Sequence, residues 1–552
     1  MLTGVVPWPE DVAELHRERG WWKGVTLGAA FDASVAAHGD RVAVVDGERR
    51  VTYFELAHLV DRLALHLAGR GIAEGERAIF QLPNVLEFVI AYFACLKTGA
   101  IPIACLPAHR HAEIGYLARF TEARAWFFAS ELRGFDHVRM AEELRPELPT
   151  VTECFVVGER AGAGMTPLAD LLAASLEEEI AVDALERIAP APRDVAVFQL
   201  SGGTTGLPKV IPRTHDDYLY NSLGFAEVVG FDRDTVLLVS VPIAHNFPLA
   251  CPGVQAALLL GARVVLAPSP DPGVVFPLIE RERVTWIPAV PATVITWLNH
   301  PARGKHDLSS IRTLAVGGAR LNAEPARAAL RAFGPVVVQV LGMAEGLLCA
   351  TRPGDAEEVV VETQGRPMSP DDEIRIVDDD GADVAPGAIG ELHCRGPYTI
   401  RGYYNAPEHN RVAFTADGFY RTGDMVRMHP SGNLVVEGRK KDLINRGGEK
   451  ISAEEVENLV LAHPAVLHVA VVAMPDPVLG ERACAFVVPR PGSTLTLADL
   501  TRFLIEDRRV AKYKVPERLE LRDQLPATAV GKISKRDLRE ELRQILADKA
   551  AR

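Results

Sequence analysis

A run of small and hydroxyl residues between positions 201 and 209 is the part of this sequence best suited to bind phosphate groups. It follows VAVFQL, an apolar segment typical of a buried strand, and reads Ser201-Gly202-Gly203-Thr204-Thr205-Gly206-Leu207-Pro208-Lys209. Glycine lets the backbone approach a ligand closely, the hydroxyl groups add donors, and the lysine adds positive charge. The spacing is not that of a Walker A loop, and the sequence contains neither GxGxxG nor HExxH. The run therefore predicts a phosphate-binding loop of another kind.

Four later segments occur in an order that places this loop in a family. They are Gly342-Met343-Ala344-Glu345, Tyr420-Arg421-Thr422-Gly423-Asp424, Gly438-Arg439-Lys440-Lys441-Asp442 and Pro526-Ala527-Thr528-Ala529-Val530-Gly531-Lys532. Together with the loop they resemble the motif set of the adenylate-forming superfamily, which contains acyl-CoA synthetases, peptide-synthetase adenylation domains and luciferases. The segments VPWPED, IPRTHDDY, AHNFPLACPG and GMAEGLL resemble in particular the stand-alone aryl acid–AMP ligases of siderophore and related pathways. The resemblance extends over essentially the whole chain.

The resemblance implies a reaction in two halves. A carboxylate attacks the α-phosphate of ATP to give an acyl-adenylate and pyrophosphate, and a thiol then displaces AMP. Lys532 matches the lysine that bridges the carboxylate and the α-phosphate, and Glu345 matches the acid associated with Mg²⁺. Both suit a crowded, anionic phosphoryl transition state, because positioned charge stabilises it. His245 completes the predicted catalytic set.

The resemblance also implies the contacts of the nucleotide. Asp424 matches the acid that accepts both ribose hydroxyls, and Arg439 approaches the same sugar. Many relatives carry an aromatic residue before Gly342, but this chain has Leu341, so we expect apolar contact with adenine there. The predicted nucleotide-binding set is Ser201, Gly202, Gly203, Thr204, Thr205, Gly206, Lys209, Gly317, Gly318, Ala319, Leu341, Gly342, Met343, Asp424, Arg439 and Lys532.

An acid pocket is implied around the segment AHNFPLAC. Amino-acid-activating relatives carry an aspartate near position 246, because a buried substrate ammonium without a counter-charge is costly. The neutral Asn246 of this chain instead favours an aromatic acid with a hydroxyl group beside its carboxylate. The predicted lining of the pocket is Asn246, Phe247, Cys251, Gly318, Ala344 and Leu348.

Two of these positions bear on the choice of aromatic acid. Ligases for 2,3-dihydroxybenzoate generally carry Ser in place of Cys251 and Val in place of Leu348, whereas ligases for salicylate carry Cys and Leu. A thiol satisfies a second phenol group poorly, and leucine takes the room of a 3-hydroxyl. Salicylate is therefore favoured. The pair Cys349-Ala350 departs from the usual polar–aromatic pair, so 2,3-dihydroxybenzoate, 3-hydroxyanthranilate and a methylsalicylate stay open as alternatives.

A separate thiol acceptor and a domain movement follow from the same resemblance. The expected partner is the phosphopantetheine arm of an aryl carrier protein, with CoA as the alternative acceptor. Lys441 matches the family's hinge position, about which the C-terminal domain turns between the half-reactions. A non-catalytic nucleotide-binding regulatory module is the alternative outside enzymes, and Lys532, Glu345 and Asp424 argue against it.

Composition and charge exclude several other classes. The 552 residues are 48% hydrophobic and 24% charged, which indicates a globular protein with a large core. Sixty Lys and Arg against 73 Asp and Glu leave a net charge of −13, which disfavours nucleic acid and anionic membranes as partners. Seven scattered cysteines without a CxxC pair, no signal peptide at the N-terminus and no long apolar run predict a reduced, cytoplasmic protein.

The elements that must hold these segments alternate between helix and strand. Thr52 and Glu55 have capping-box spacing ahead of an amphipathic helix, and Ser452 and Glu455 repeat that spacing late in the chain. The alternation predicts layered α/β packing with parallel strands, and short β segments over residues 371–438 predict a small β unit. We therefore expect an N-terminal adenylation core over residues 1–438 and a small, mobile C-terminal α/β domain over residues 439–552.

Overall fold

The computed structural model describes residues 2–176, 184–201, 208–446, 449–508, 510–528 and 531–550. Helices and strands are numbered here in chain order. The α-helices within these residues are α1 Glu10–Glu18, α2 Leu27–His38, α3 Tyr53–Gly69, α4 Leu86–Thr98, α5 His111–Phe120, α6 His137–Leu144, α7 Leu168–Ala173, α8 Ala184–Arg187, α9 His215–Val228, α10 Asn246–Ala250, α11 Gly253–Leu260, α12 Pro272–Glu282, α13 Pro291–Asn299, α14 Ala323–Phe333, α15 Glu357–Glu362, α16 Pro407–Ala413, α17 Ala453–Leu461, α18 Leu497–Arg502 and α19 Lys535–Ala550.

The strands form two large sheets, two smaller ones and a short hairpin. They are β1 Val42–Asp46, β2 Arg49–Thr52, β3 Arg77–Gln81, β4 Ile101–Ala104, β5 Ala125–Ala129, β6 Glu131–Leu132, β7 Phe135–Asp136, β8 Glu153–Val157, β9 Thr166–Pro167, β10 Val195–Leu200, β11 Val210–Thr214, β12 Val236–Val239, β13 Arg263–Leu266, β14 Trp286–Ala289, β15 Thr313–Val316, β16 Val337–Met343, β17 Gly346–Ala350, β18 Arg366–Pro367, β19 Glu373–Val377, β20 Gly390–Arg395, β21 Tyr420–Met428, β22 Leu434–Arg439, β23 Leu443–Arg446, β24 Glu449–Ser452, β25 Val466–Asp476, β26 Gly480–Pro489 and β27 Arg518–Leu521.

Two mainly parallel sheets make up the body of the N-terminal part. One has nine strands in the order β18-β17-β16-β15-β14-β12-β13-β1-β2, and the other has seven in the order β11-β10-β4-β3-β5-β8-β9. The central neighbours pair in parallel, while β2, β11, β17 and β18 at the edges pair antiparallel. This arrangement confirms the predicted layered α/β fold.

The helix α4 shows why the two sheets pack together. All of its residues except Glu87 and Lys97 are buried, and it ends at Gly99, which adopts a left-handed conformation. A helix that is apolar on every side must lie inside the protein. Its side chains share one core cluster with strand residues from both sheets, including Phe80 of β3 and Val264 of β13. The helix therefore lies between the layers.

Two smaller units follow the body. The strands β19-β20-β21-β22 form a four-stranded antiparallel sheet, which confirms the predicted β unit. The strands β23 to β27 form a five-stranded sheet that is covered by α17 and α19. The buried residues Leu538 and Leu542 of α19 pack on β25 and β26. The proposed boundary at residues 438 and 439 falls at the end of β22, and it stays a prediction.

Capping at the two predicted boxes differs. At α3, Thr52 and Glu55 form the full reciprocal box. At α17, the Ser452 hydroxyl accepts the Glu455 backbone N–H, but the Glu455 carboxylate binds Lys514 at 2.6 Å. The second prediction was therefore right for the serine and wrong for the glutamate, because a partner from elsewhere in the domain competes for the carboxylate.

The cysteines agree with the sequence prediction. All seven are buried and free of disulfides. Among the described residues, no helix is both long and apolar enough to cross a membrane.

We expect Gly365→Ala to destabilise the protein strongly. The backbone of Gly365 has a φ of +85°, and an added Cβ would lie 1.8 Å from the Ala350 carbonyl carbon. Because that atom belongs to a strand, the clash cannot be relieved by a side-chain rotation, and we expect a loss of more than about 3 kcal/mol of unfolding free energy. Urea unfolding followed by circular dichroism measures it.

Gly381→Ala is the matched control. Gly381 has nearly the same φ, +82°, with open space around an added Cβ. We expect only the strain of the left-handed backbone there, about 1–2 kcal/mol. Equal losses in the two variants would contradict the assigned close contact.

Candidate active site

A cavity of about 450 Å³ lies between the N-terminal body, the β unit and the C-terminal domain. It is lined from loops that follow β15, from the end of β16, from β21 and β22, and from the segment before α19. The predicted site residues that line it are Gly318, Ala319, Leu341, Gly342, Asp424, Arg439 and Lys532. Residues far apart in the sequence thus meet at one place, as the motif order predicts.

Asp424 and Arg439 form an ion pair at the wall of this cavity. They are directly opposite each other on the antiparallel strands β21 and β22, and Arg439 Nε lies 2.5 Å from Asp424 Oδ1. Asp424 is buried, and its backbone N–H donates to the Thr422 hydroxyl. The carboxylate raises the pKa of the Arg439 guanidinium. The pair therefore presents a fixed anion and a fixed cation side by side.

Lys532 reaches the cavity across Gly318. A Cβ added to Gly318 would lie 2.8 Å from Lys532 Cε, and Gly318 has a φ of +83°. Only glycine accommodates both that backbone conformation and the lysine stem. Burial, followed by the nearby Arg439 charge, lowers the pKa of Lys532 to about 8, although Asp424 and Glu345 act in the opposite direction. Lys532 is therefore predominantly protonated at neutral pH.

His245 stays neutral at neutral pH. Burial and, second, the Lys532 charge lower its pKa to about 3. Its Nδ1 accepts a hydrogen bond from the Phe247 backbone N–H at 3.2 Å, at the start of α10. The proton of the neutral ring is therefore on Nε2, which makes His245 a neutral donor and not a second cation.

Glu345 lies in the turn between β16 and β17, next to Ala344. It is 8% exposed, and its Oε1 accepts a hydrogen bond of 2.7 Å from the Tyr403 hydroxyl. A second phenol, Tyr420, lies 3.0 Å from the Tyr403 oxygen. Burial and the Glu345 charge both raise the pKa of each phenol, so the tyrosines stay neutral beside the carboxylate.

The donor set around Glu345 fits a Mg²⁺ ion carried by phosphates. Among the described residues, no group of three or more His, Cys, Asp or Glu side chains is placed to hold a metal on its own. Mg²⁺ bound to a nucleotide needs only one or two protein carboxylates, with phosphates and waters as its other ligands. A single buried carboxylate is therefore sufficient.

The base of the phosphate loop joins β10 to β11. The Ser201 backbone N–H donates to the Lys209 carbonyl at 3.0 Å, and the Lys209 N–H donates to the Ser201 hydroxyl at 3.1 Å. Lys209 Nζ lies 5.5 Å from the centre of the Tyr403 ring. The predicted contacts from Gly202 to Gly206 lie outside the described residues.

The predicted acid-pocket residues pack together beside the cavity. Asn246, Phe247, Cys251 and Leu348 are all buried, and Asn246 Nδ2 lies 3.2 Å from Cys251 Sγ. A Cβ added to Gly317 would lie 3.1 Å from the Phe247 ring, and one added to Gly342 would lie 2.6 Å from Leu348. The residues predicted to line the acid pocket therefore lie next to the glycines predicted to bind the nucleotide.

The proposed hinge has only its backbone described. Lys441 lies in a single 3₁₀ turn, Lys440–Asp442, between β22 and β23. On either side of it, Lys440 pairs with Glu391 at 2.9 Å and Asp442 pairs with Arg539 of α19. The hinge role stays a prediction.

The sequence did not reveal the polar residues that hold the predicted site residues in place. Tyr218, Gln199 and Arg213 support Asn246 and Ala344, and Tyr403 supports Glu345. A signal existed for one of them, because Arg213 interrupts an apolar strand immediately after the phosphate loop. Tyr403 carries no such signal.

Most of the chain matches two parts of one known family. Residues 31–404 match the family described as AMP-binding enzyme, and residues 455–532 match the AMP-binding enzyme C-terminal domain. The chain therefore belongs to the AMP-binding enzyme family, which confirms the adenylate-forming class predicted from the motif order.

Individual relatives match over nearly their full length. The chain is 51% identical to a salicylyl-CoA synthase / salicylate adenylyltransferase from Streptomyces sp, covering 98% of each sequence. It is 48% identical to a 2,3-dihydroxybenzoate-AMP ligase from Bacillus subtilis (strain 168), covering 99% of each. The apo structure of MbtA from Mycobacterium smegmatis is similar with a TM-score of 0.74 at 43% identity, over 97% of this chain and 98% of that one.

We expect the pKa of Lys532 to lie below that of an ordinary lysine and the pKa of Lys535 to lie above it. Lys532 has its pKa lowered to about 8, chiefly by burial. Burial also acts to lower the pKa of Lys535, but the Glu457 carboxylate at 2.7 Å outweighs it and raises the pKa. Raising the pH through 8 should therefore discharge Lys532 and leave Lys535 charged.

NMR of protein labelled with ¹³C at lysine Cε measures both titrations. Lys532→Arg and Lys535→Arg assign the two resonances. A Lys532 signal that titrates near 10.5 would show that the side chain is solvated and not held over Gly318.

Proposed function

We propose that the protein is an aryl acid–AMP ligase, which joins an aromatic carboxylic acid to AMP and then passes the acyl group to a thiol. One observation carries the proposal. Phe247 of the predicted acid pocket packs against Gly317, and Lys532 packs against the next residue, Gly318. An acid carboxylate at this junction would lie beside the lysine ammonium and next to the nucleotide cavity.

The first half-reaction needs charge at the point where the two substrates meet. A carboxylate oxygen of the acid attacks the α-phosphorus of ATP, the bond from that phosphorus to the oxygen bridging to the β-phosphate breaks, and pyrophosphate leaves with the electron pair. Lys532 would hold both anionic groups together and stabilise the negative charge of the transition state. Its pKa of about 8 keeps it charged at neutral pH.

The nucleotide substrate would be oriented by the rest of the cavity. The Asp424 carboxylate is suited to accept hydrogen bonds from ribose hydroxyls, with Arg439 beside it. Glu345, whose carboxylate accepts a hydrogen bond from the Tyr403 hydroxyl, would hold the Mg²⁺ that travels with ATP. When bound, Mg²⁺ neutralises charge on the phosphates. These roles, like those of the phosphate loop and His245, are part of the proposal.

The acid pocket supports an aromatic acid with an ortho hydroxyl group. Asn246 has hydrogen bonds to the neutral groups of Tyr218 and Cys251, so it offers an amide where a substrate ammonium would need a carboxylate. We favour salicylate, because the Cys251 thiol accepts a second phenol poorly and Leu348 fills the adjacent space. The alternatives 2,3-dihydroxybenzoate and 3-hydroxyanthranilate bring larger or more polar rings to the same place.

The second half-reaction transfers the acyl group. A thiolate attacks the acyl carbonyl carbon, and AMP leaves. We propose the phosphopantetheine thiol of an aryl carrier protein as the acceptor, as part of siderophore or related nonribosomal peptide biosynthesis, with CoA as the alternative. A turn of residues 439–552 about Lys441 would withdraw Lys532 between the two steps. Seven free, buried thiols support a reducing, cytoplasmic location.

Lys532→Ala should separate the two half-reactions. We expect it to lose on the order of 10²-fold or more in ATP–pyrophosphate exchange with salicylate, the effect of removing one group that stabilises transition-state charge. Transfer from chemically supplied salicyl-AMP, measured in parallel with holo aryl carrier protein and with CoA, should be unaffected. Lys512→Ala, an exposed lysine of the same domain, is the control. Equal losses in both half-reactions would refute the assigned role of Lys532.

Cys251→Ser combined with Leu348→Val should shift preference toward 2,3-dihydroxybenzoate. The hydroxyl adds a hydrogen-bonding partner and the smaller side chain makes room, so we expect a change of roughly 10- to 200-fold in the ratio of kcat/KM for the two acids. Pyrophosphate exchange with each acid measures it. A parent protein that already prefers 2,3-dihydroxybenzoate would show that these positions do not set specificity and would direct attention to Cys349 and Ala350.

A further inference from the structure

A chain of hydrogen bonds fixes the side chain of Asn246 from behind the acid pocket. The Gln199 amide Nε2 donates to the Tyr218 hydroxyl at 3.1 Å, and that hydroxyl donates to Asn246 Oδ1 at 2.6 Å. All three residues are at most 6% exposed. No water competes easily for these groups, so each bond constrains the next.

The single proton of the Tyr218 hydroxyl sets the direction of these hydrogen bonds. A tyrosine hydroxyl has one proton, and because it accepts from Gln199, that proton is directed to Asn246 Oδ1. The Asn246 oxygen is thereby turned toward Tyr218, and its Nδ2 is turned to the other side, where it lies 3.2 Å from Cys251 Sγ. The N–H donor side of Asn246 therefore lies toward Cys251, which is also predicted to line the acid pocket.

The Tyr218 ring is itself held in place. The Arg213 guanidinium lies 4.6 Å from the centre of the ring and is fully buried in an ion pair of 2.7 Å with Asp217. Arg213 also donates to the Ala344 carbonyl at 2.9 Å and to the Tyr398 carbonyl at 3.1 Å. A cation with this many fixed partners leaves the ring little freedom to turn.

We propose that Tyr218 is a positioning residue for substrate selection, because it holds the Asn246 amide with its N–H toward the ortho substituent of the bound acid. This inference rests on the proposed aryl acid activation. It predicts a preference for acids whose ortho group accepts a hydrogen bond, such as a phenol oxygen, over acids with no ortho group and over acids whose ortho group mainly donates, such as an amine.

Tyr218→Phe tests the inference with almost no change in shape. Without the hydroxyl, Asn246 Oδ1 loses its donor, and the amide can rotate to present its oxygen to the pocket. The salicylate-to-benzoate and salicylate-to-anthranilate ratios of kcat/KM in pyrophosphate exchange should each fall about tenfold, the effect of one hydrogen bond. KM for salicylate should rise, while KM for benzoate, which lacks the ortho group, should stay the same.

Tyr92→Phe is the matched control. Tyr92 is also buried, and its hydroxyl also binds a glutamine amide, Gln255 Nε2, at 2.7 Å. The Asn246 side chain bonds to Tyr218 and Cys251 and not to Tyr92, so the substrate ratios of Tyr92→Phe should match those of the parent. The ratio of the kcat/KM values for two acids, measured on one preparation, does not depend on the folded fraction of the protein. Partial unfolding of either variant therefore leaves the comparison valid.

The outcomes separate this inference from the function on which it rests. Ratios that fall in Tyr218→Phe and not in Tyr92→Phe support it. Unchanged ratios in Tyr218→Phe, or equal falls in both variants, overturn it while leaving aryl acid activation intact. A parent protein that exchanges pyrophosphate with none of the three acids overturns the proposed function and this inference with it.

Discussion

The close approach of two side chains to consecutive glycines is the constraint on which the site depends. Phe247 lies against Gly317 and Lys532 against Gly318, so that an added Cβ would lie 3.1 Å from the Phe247 ring and 2.8 Å from Lys532 Cε. The predicted acid pocket, the proposed nucleotide cavity and the C-terminal domain meet at this dipeptide. A side chain at either position would press on groups that, in the proposed reaction, lie close to the acid carboxylate, and nucleophilic attack requires reacting atoms about 3–3.5 Å apart.

Neutral and paired groups lie near that junction. His245 is neutral, the phenols near Glu345 are neutral, and Asp424 is matched by Arg439. Lys532 is the cation whose pKa burial lowers, which makes it the group most responsive to an arriving anion. In a medium of low polarity, a few charges of defined sign exert stronger effects than many solvated ones.

Local signals were sufficient for most of the fold. The capping box at Thr52 and the apolar run of β10 depend on neighbours within a few residues, and the structure has both of them. The second capping box was only half right, since the Glu455 carboxylate binds Lys514, which is 59 residues away. A local rule fails where a distant partner offers the stronger interaction.

The sequence by itself determined the class of protein and the alternation of helix and strand, because motif spacing and local hydrophobic periodicity are properties of the chain. It also predicted residues that the structure brings together around one cavity. The tertiary structure alone decided which side chains hydrogen-bond to those residues. Tyr403 reaches Glu345 over 58 residues, and Tyr218 reaches Asn246 over 28. Such pairings have no spacing rule, because they depend on how the sheets and loops pack and on the need of each buried polar atom for a partner.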